Sequence, residues 1–393
     1  MEFRSALPVA VLFGGVIGAA IVGVSDPKSV VDPSARVSPV GAALVAEAAA
    51  ATVEAVSWDI PVVRNASVDR FVDIFENKQS DRMALYLKRS GRYEGMIRAK
   101  LRERGMPEDL VYLSMIESGF NPTARSKAQA VGLWQFIQGT GKRYGLRIDG
   151  YVDERKDPEK STDAALRYLQ DLHNQFGSWY LAAAAYNSGE NRVARVMREE
   201  TGSEKGKEED FWRIRRRLPA ETREYVPLML AAALIGKEPH KYGLGDVERY
   251  LPVPTEVVEV PGGTRLGVVA KAVGVGEKEL TGLNPQLVKG MTPPGNNPYG
   301  VRIPEGRRTQ FAANFERARE AAAVEARVEA ARTARVAKAA RPTRPAAKYH
   351  NVRKGESLWT IARRNDTSVA ALKRVNGLKG NTLRPGQRLR IPA

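Results

Sequence analysis

Residues 106–126 read MPEDLVYLSMIESGFNPTARS, and the acidic side chain within that apolar run, Glu117, decides how the rest of the chain is read. Pro107 followed by Glu108 and Asp109 makes a favourable first turn, so a helix begins here. Leu110, Leu113 and Glu117 follow at spacings of three and four, which puts the carboxylate on the face of two leucines. The Ser118–Gly119 pair stops the helix, so Glu117 also sits where the helix dipole is negative. Partial burial and the dipole both favour the neutral acid, and the expected result is a pKa raised toward neutrality, as a general acid requires. The alternative is an exposed terminal glutamate that snorkels to water. This segment alone leaves both open.

The chain has 393 residues, room for two or three compact units, with an ordinary apolar share of 43%. Its net charge of +17 is not ordinary. Such a surface favours polyanions: nucleic acid, an acidic membrane or a negatively charged wall polymer, unless it serves only solubility and a basic linker. There is no cysteine, which excludes disulfides, thiolate catalysis, cysteine zinc sites and a lipid-modified N-terminus. His173, His240 and His350 lack paired ligand spacing, so neither metal nor cofactor is expected.

Ser5 to Val24 carries no charge, roughly the ~20 residues that a bilayer-spanning helix requires. It also fits a signal peptide with cleavage options near Ala20 or Ser25. Residues 1–25 are therefore a signal peptide or a membrane anchor. Either way the chain is exported, to the periplasm or cell envelope, with inner-membrane association through residues 5–24 if they are retained. Residues 26–66, rich in Ala, Val, Pro and Ser, form a linker.

From 67 to 248 helical periodicity dominates. VDRFVDIFENK (68–78) has a helical apolar face, and STDAALRYLQDLHNQFG (161–177) reads as a helix with a Ser-Thr-Asp cap that closes at Gly177. WYLAAAAYNSGENRVARVM (179–197) and ETREYVPLMLAAALIG (221–236) add apolar helices. After RYLPVP (249–254) the pattern changes to strand, helix, helix, strand: TEVVEV, LGVVAKAVGV, LTGLNP and YGVRIP. The C-terminal stretch repeats that order, and both copies close on Ile-Pro, at Ile303–Pro304 and Ile391–Pro392. Residues 249–306 are read as the degenerate copy and 348–393 as the strong one. The Ala/Arg-rich linker 307–347 is a solvated helix or a short coiled coil, ending in a spacer at Pro342 and Pro345.

Downstream of ESGFNP come GLWQF (132–136), AYNSGE (185–190) and ETREYVP (221–227). This ordered series resembles the lytic murein transglycosylases with a goose-lysozyme-like fold, over about residues 70–245, and FWRIRRRLPAETREYVP with HKYG resembles their membrane-bound transglycosylase D branch. The resemblance implies a mainly α chain: a lysozyme-like helical catalytic domain followed by small α+β (βααβ) LysM-type modules. It implies cleavage of the β-1,4 bond between N-acetylmuramic acid and N-acetylglucosamine, leaving 1,6-anhydro ends, with Glu117 as the single general acid and base. Ser126, nine residues on, takes the position expected to hydrogen-bond the substrate N-acetyl group. Gln135, Tyr186, Asn187, Glu221 and Tyr225 become substrate-binding candidates, with a packed tyrosine the alternative at Tyr186 and a structural salt bridge the alternative at Glu221. One of Trp134 and Phe136 at least is expected in the core, and Gly132 permits a close backbone approach.

YHNVRKGESLWTIARRNDTSVAALKRVNGLKGNTLRPGQRLRIP (349–392) resembles a LysM module almost throughout. That implies a βααβ unit binding N-acetylglucosamine-containing glycan through Gly355, Glu356, Ser357, Leu358 and through Asn376, Gly377, Leu378. The upstream copy keeps LNP and RIP but lacks the Gly-Glu-Ser-Leu-Trp run. The partners implied are peptidoglycan strands and the cell wall; no nucleic-acid motif is present. A muramidase-type hydrolase on the same fold and a non-catalytic wall-binding scaffold are the rival readings.

Overall fold

A computed structural model describes residues 56–339 and 347–392. The uncharged segment 5–24, most of the 26–66 linker and the spacer prolines Pro342 and Pro345 lie outside the described residues. No helix among the described residues is long and apolar enough to cross a membrane. The chain falls into two compact units that divide after Arg319.

The first unit is mainly helical. Its helices are α1 (Ala66–Asp73), α2 (Ser80–Glu103), α3 (Val111–Ser118), α4 (Gln138–Arg143), α5 (Pro158–Phe176), α6 (Trp179–Ser188), α7 (Glu190–Thr201), α8 (Glu208–Ile214) and α9 (Ala220–Lys237). A π-helical turn, Ile74–Lys78, prolongs α1.

The short α3 is the centre. Val111 to Ile116 are all buried, against α2 on one side and α9 on the other. Gly236 of α9 lets the Tyr112 ring in, since a Cβ there would lie 2.4 Å from the ring. In α6, Tyr180 to Ala185 are fully buried, and the small alanines bring α5, α7 and α9 close.

Two boundaries differ from the sequence reading. Helix α5 starts at Pro158, capped by Asp157, whose Oδ1 accepts from Glu159 N and Lys160 N at 3.1 Å each. Ser161 to Asp163 lie inside the helix, because an Asp cap with Pro at the first helical position is the stronger start signal. The close at Gly177, φ 73°, is as expected. The 179–197 run breaks into α6 and α7 at Gly189, whose φ 87°, ψ 141° suits glycine alone. Pro227 inside α9 cannot donate to the Arg223 carbonyl, and the Arg215 Nε–H does so at 2.7 Å.

Beyond residue 254 the unit continues as β1 (Thr255–Val260), α10 (Leu266–Val273), α11 (Glu277–Leu283) and β2 (Tyr299–Pro304). The strands pair antiparallel from Thr255↔Pro304 to Val260↔Tyr299, giving a βααβ module. Residue 249 marks a change of architecture, with no gap in packing. Tyr250 N donates to Lys88 O (2.8 Å), Asp153 N to Gln286 O (2.9 Å) and Val288 N to Tyr151 O (3.0 Å). Arg302 donates two hydrogen bonds, at 2.7 and 3.0 Å, to the buried carboxylate of Asp157, the same side chain that caps α5.

Helix α12, Arg308–Ala339, begins beside this module, with Arg308 on Glu256 and Phe315 buried. From Glu316 to Val336 nearly every residue is exposed, a solvated helix as the thin apolar stripe predicted.

In the second unit, β3 (Tyr349–Asn351) pairs antiparallel with β4 (Arg388–Arg390), and α13 (Leu358–Arg364) and α14 (Val369–Asn376) lie between them in sequence. Val352, Leu358, Ile361, Leu372, Leu389 and Ile391 make a small core.

Candidate active site

Glu117 is the penultimate residue of α3, which ends at Gly119 in the left-handed region with φ 57°. A Cβ at Gly119 would lie 2.1 Å from the Tyr86 ring, so only glycine fits. The chain then enters a strained loop. Phe120, Gln129 and Gln135 have φ of 55°, 62° and 47°, three of the four non-glycine positive values among the described residues. Strain gathered in one loop beside an acidic residue marks a functional candidate.

Buried polar contacts hold the loop in shape. Ser118 Oγ donates to Leu133 O at 2.9 Å, and Trp134, fully buried, donates its indole N–H to Thr162 Oγ1 at 2.9 Å. Phe136 is buried too, so both aromatics of GLWQF belong to the core. The Arg155 guanidinium, paired with Asp153 at 2.8 Å, donates to Gln129 O and Phe136 O at 3.1 Å each. At Gly132 the Arg155 carbonyl comes so close that a Cβ would stand 1.8 Å from it.

Tyr225 of α9 is buried and donates its phenol to Glu117 Oε1 at 2.5 Å. Burial pushes the Glu117 carboxyl up to about 8; the Tyr225 hydrogen bond pulls it down and the charge of Glu221 pushes it further up. The effect is mutual: burial and the Glu117 charge hold the phenols of Tyr186 and Tyr225 well above their usual range. Tyr186 Oη donates to Trp134 O at 2.7 Å, which ties α6 to the loop. Asn187 donates to Glu221 Oε1 at 3.2 Å and accepts from Thr222 Oγ1 at 2.8 Å.

The structure thus gathers Glu117, Tyr186, Asn187, Glu221 and Tyr225 into one polar cluster. Ser126 is on the loop: its Oγ accepts from Ala130 N at 3.1 Å, which leaves its own proton to donate. Gln135 is different. Its amide nitrogen is spent on Gly132 O (2.9 Å) and Ala124 O (3.3 Å), so it braces the loop from inside. A cavity of about 500 Å³ reaches Tyr225 and Glu221 between α9 and the wall made by Phe71, Ile74 and Gln79.

Sequence reasoning missed Arg155, Tyr86 and the π turn at 74–78. The two glycines that need close approach, Gly119 and Gly132, were the signals that pointed toward the first two.

In the second unit Gly355 takes φ 89° and Gly377 φ 63°. Glu356 accepts from Arg353 N (2.9 Å) and lies 2.7 Å from both His350 Nε2 and Arg364 Nη1, and these contacts hold its carboxyl down at about 2. Ser357 caps α13, and Asn376 bridges to Arg390 through both its amide atoms. Leu358 is in the core and Leu378 packs against it. These side chains shape the two candidate binding loops, and Trp359, 60% exposed, follows the first of them in sequence.

A half-buried acid at a helix end, braced by a tyrosine and a strained loop, is a candidate general acid. Residues 94–209 match the transglycosylase SLT domain family, residues 254–319 the LysM-like domain of lytic transglycosylase MltD, and residues 350–392 the LysM domain. Over those residues the chain is similar to these families.

It is 36% identical to the membrane-bound lytic murein transglycosylase D of Escherichia coli (strain K12) over 307 residues, 77% of this chain and 63% of that protein. The chain therefore spans less than two thirds of that relative's length. The peptidoglycan transglycosylase gp16 of Escherichia phage T7 is 39% identical over 104 residues, 26% of this chain and 8% of that one. The solved lytic transglycosylase Slt of Pseudomonas aeruginosa aligns with 26% identity and a TM-score of 0.30 over 40% of this chain and 26% of that one, too partial a likeness to support an argument.

Proposed function

We propose that this protein is a peptidoglycan lytic transglycosylase that cuts the β-1,4 bond between N-acetylmuramic acid and N-acetylglucosamine. The observation that carries the reading is the Glu117 carboxyl, pushed up to about 8 by burial and held by Tyr225. At neutral pH it keeps the proton that a glycosidic oxygen needs in order to leave.

The steps follow from one carboxyl. Glu117 protonates the bridging oxygen, and the bond from that oxygen to C1 of the muramic acid breaks. The neighbouring N-acetyl oxygen closes on C1, and the Ser126 hydroxyl hydrogen-bonds that group. Glu117, now a carboxylate steadied by the Tyr225 phenol, takes the proton of the C6 hydroxyl. The C6 oxygen attacks C1, the N-acetyl group departs, and a 1,6-anhydro ring forms. Glu117 ends protonated and no water is consumed. Glu221, whose charge acts on Glu117, is engaged by Asn187 and serves to position that residue and to keep the acid neutral. Tyr186 holds the loop at Trp134.

The LysM unit binds glycan weakly through its two loops and raises the local substrate concentration. The protein acts in the cell envelope, exported through residues 5–24. The test is the muropeptide profile of digested murein, wild type beside Glu117→Gln. Anhydro ends one water lighter than hydrolysed ends are expected from wild type and none from the variant. Hydrated ends would make the protein a hydrolase, and unchanged release by the variant would remove the enzymatic assignment.

A further inference from the structure

A second groove, of about 520 Å³, lies where the 255–304 module meets the helical domain. Its floor is apolar, with Tyr93, Phe120 and Leu287, and Arg89, Arg92, Lys156 and Lys278 line it. No aspartate or glutamate is among its lining residues. Nor is any of the four cations in an ion pair among the described residues, whereas Arg70 and Arg215 at the other cavity are paired with Glu224. Arg92 stands 5.4 Å from the Tyr250 ring, which fixes one wall.

The groove is connected to the acid. Phe120 to Thr123, one of its walls, directly follows the helix end that carries Glu117. Tyr86, Arg89 and Tyr93 share one face of α2, at spacings of three and four. Tyr86 touches Gly119, and Tyr93 lies about 10 Å further along the helix. A strand bound across Glu117 has the groove beside it.

The groove is also preformed. Lys278 and Thr281 come from α11 of the module, and the buried Arg302–Asp157 pair and the Asp153–Gln286 and Val288–Tyr151 backbone bonds fasten that module in place. A rigid, cation-lined slot with an apolar floor suits an extended chain that carries carboxylates at intervals. Each muramic acid of a glycan strand bears such a chain, its peptide stem.

We propose that this groove binds the carboxylates of the substrate's peptide stem, and that the 255–304 module is kept to complete it. The inference rests on the proposed function for its substrate, and extends it from the sugar to the peptide.

The experiment compares two soluble, uncross-linked glycan preparations, one carrying its peptides and one stripped of them by an amidase. The double variant Arg92→Glu/Lys278→Glu in the full chain is expected to raise KM on peptide-bearing strands about tenfold. It leaves kcat, and all kinetics on stripped strands, unchanged. Arg92→Lys/Lys278→Arg retains the wild-type preference. An equal loss on both substrates, or no loss on either, overturns the proposal. Equilibrium binding of both preparations to the full chain supplies the second arm. If wild type cleaves neither substrate, the catalytic reading fails alone, and a binding preference for peptide-bearing strands that the double variant abolishes still supports the groove. Equal binding of the two preparations overturns it.

Discussion

At Glu117 burial and hydrogen bonding oppose each other, and burial wins. Its pKa of about 8 lies above the ordinary 4.5, so the reaction is expected to run at full rate below that value and to fall as the acid ionises. Tyr225→Phe removes the one contact that pulls the value down, so the alkaline limb of the kcat/KM profile moves to higher pH, with a rate loss of about tenfold from poorer orientation. A shift to lower pH would contradict the assignment. The same group limits stability. Between about 4.5 and 8 the native state holds a proton that the unfolded chain has released, so stability falls as pH rises through that window. Glu117→Gln lacks this penalty. It should match wild type near pH 4 and exceed it at pH 9 by a few kcal/mol, at about 1.4 kcal/mol per pH unit, read from thermal unfolding at the two pH values. An unchanged difference between them would mean that the carboxyl titrates normally.

Among the elements, the loop between Gly119 and Ile137 carries the most risk. Arg155 holds two of its carbonyls and neutralises the buried Asp153. Arg155→Met strands that carboxylate, and a loss of about 3–5 kcal/mol is expected, measured by denaturant unfolding, with activity falling further than stability explains because Ser126 is on the same loop. This element was only partly legible in the sequence. The helix under Glu117 and its glycine stop were readable because apolar spacing and a C-terminal glycine are local signals. The positive φ of Phe120, Gln129 and Gln135 was not, since non-glycine residues reach that region only where distant contacts impose it. The π turn at 74–78 hid for a similar reason: its apolar spacing is that of an ordinary helix. Arg155 was invisible because it is remote from the motif it clamps.

For the whole molecule, the joint between the helical domain and the 255–304 module is the feature to break. The sequence showed where strand patterning begins but nothing of how closely the module docks, because docking rests on contacts between residues far apart in the chain, among them the buried pair of Arg302 with Asp157, 145 residues apart. Asp157 would still cap α5 after Arg302→Met, as its Oδ1 keeps the two backbone donors at 3.1 Å. What changes is that both its oxygens lose Arg302, which leaves a buried carboxylate without its cation, at a cost of about 3 kcal/mol. The cost falls on the interface and spares the Glu117 cluster, whose contacts come from α3, α6 and α9. Cleavage of peptide-stripped strands should therefore persist in Arg302→Met, while the preference for peptide-bearing strands declines as Lys278 loses its fixed place opposite Arg92. Replacing the pair by Arg302→Met/Asp157→Asn removes the stranded charge and keeps an Asn cap. The double variant should recover stability but not the preference, because the tether is gone either way. Parallel recovery of both would show that the pair acts through stability alone and that the docked geometry has no part in choosing the substrate.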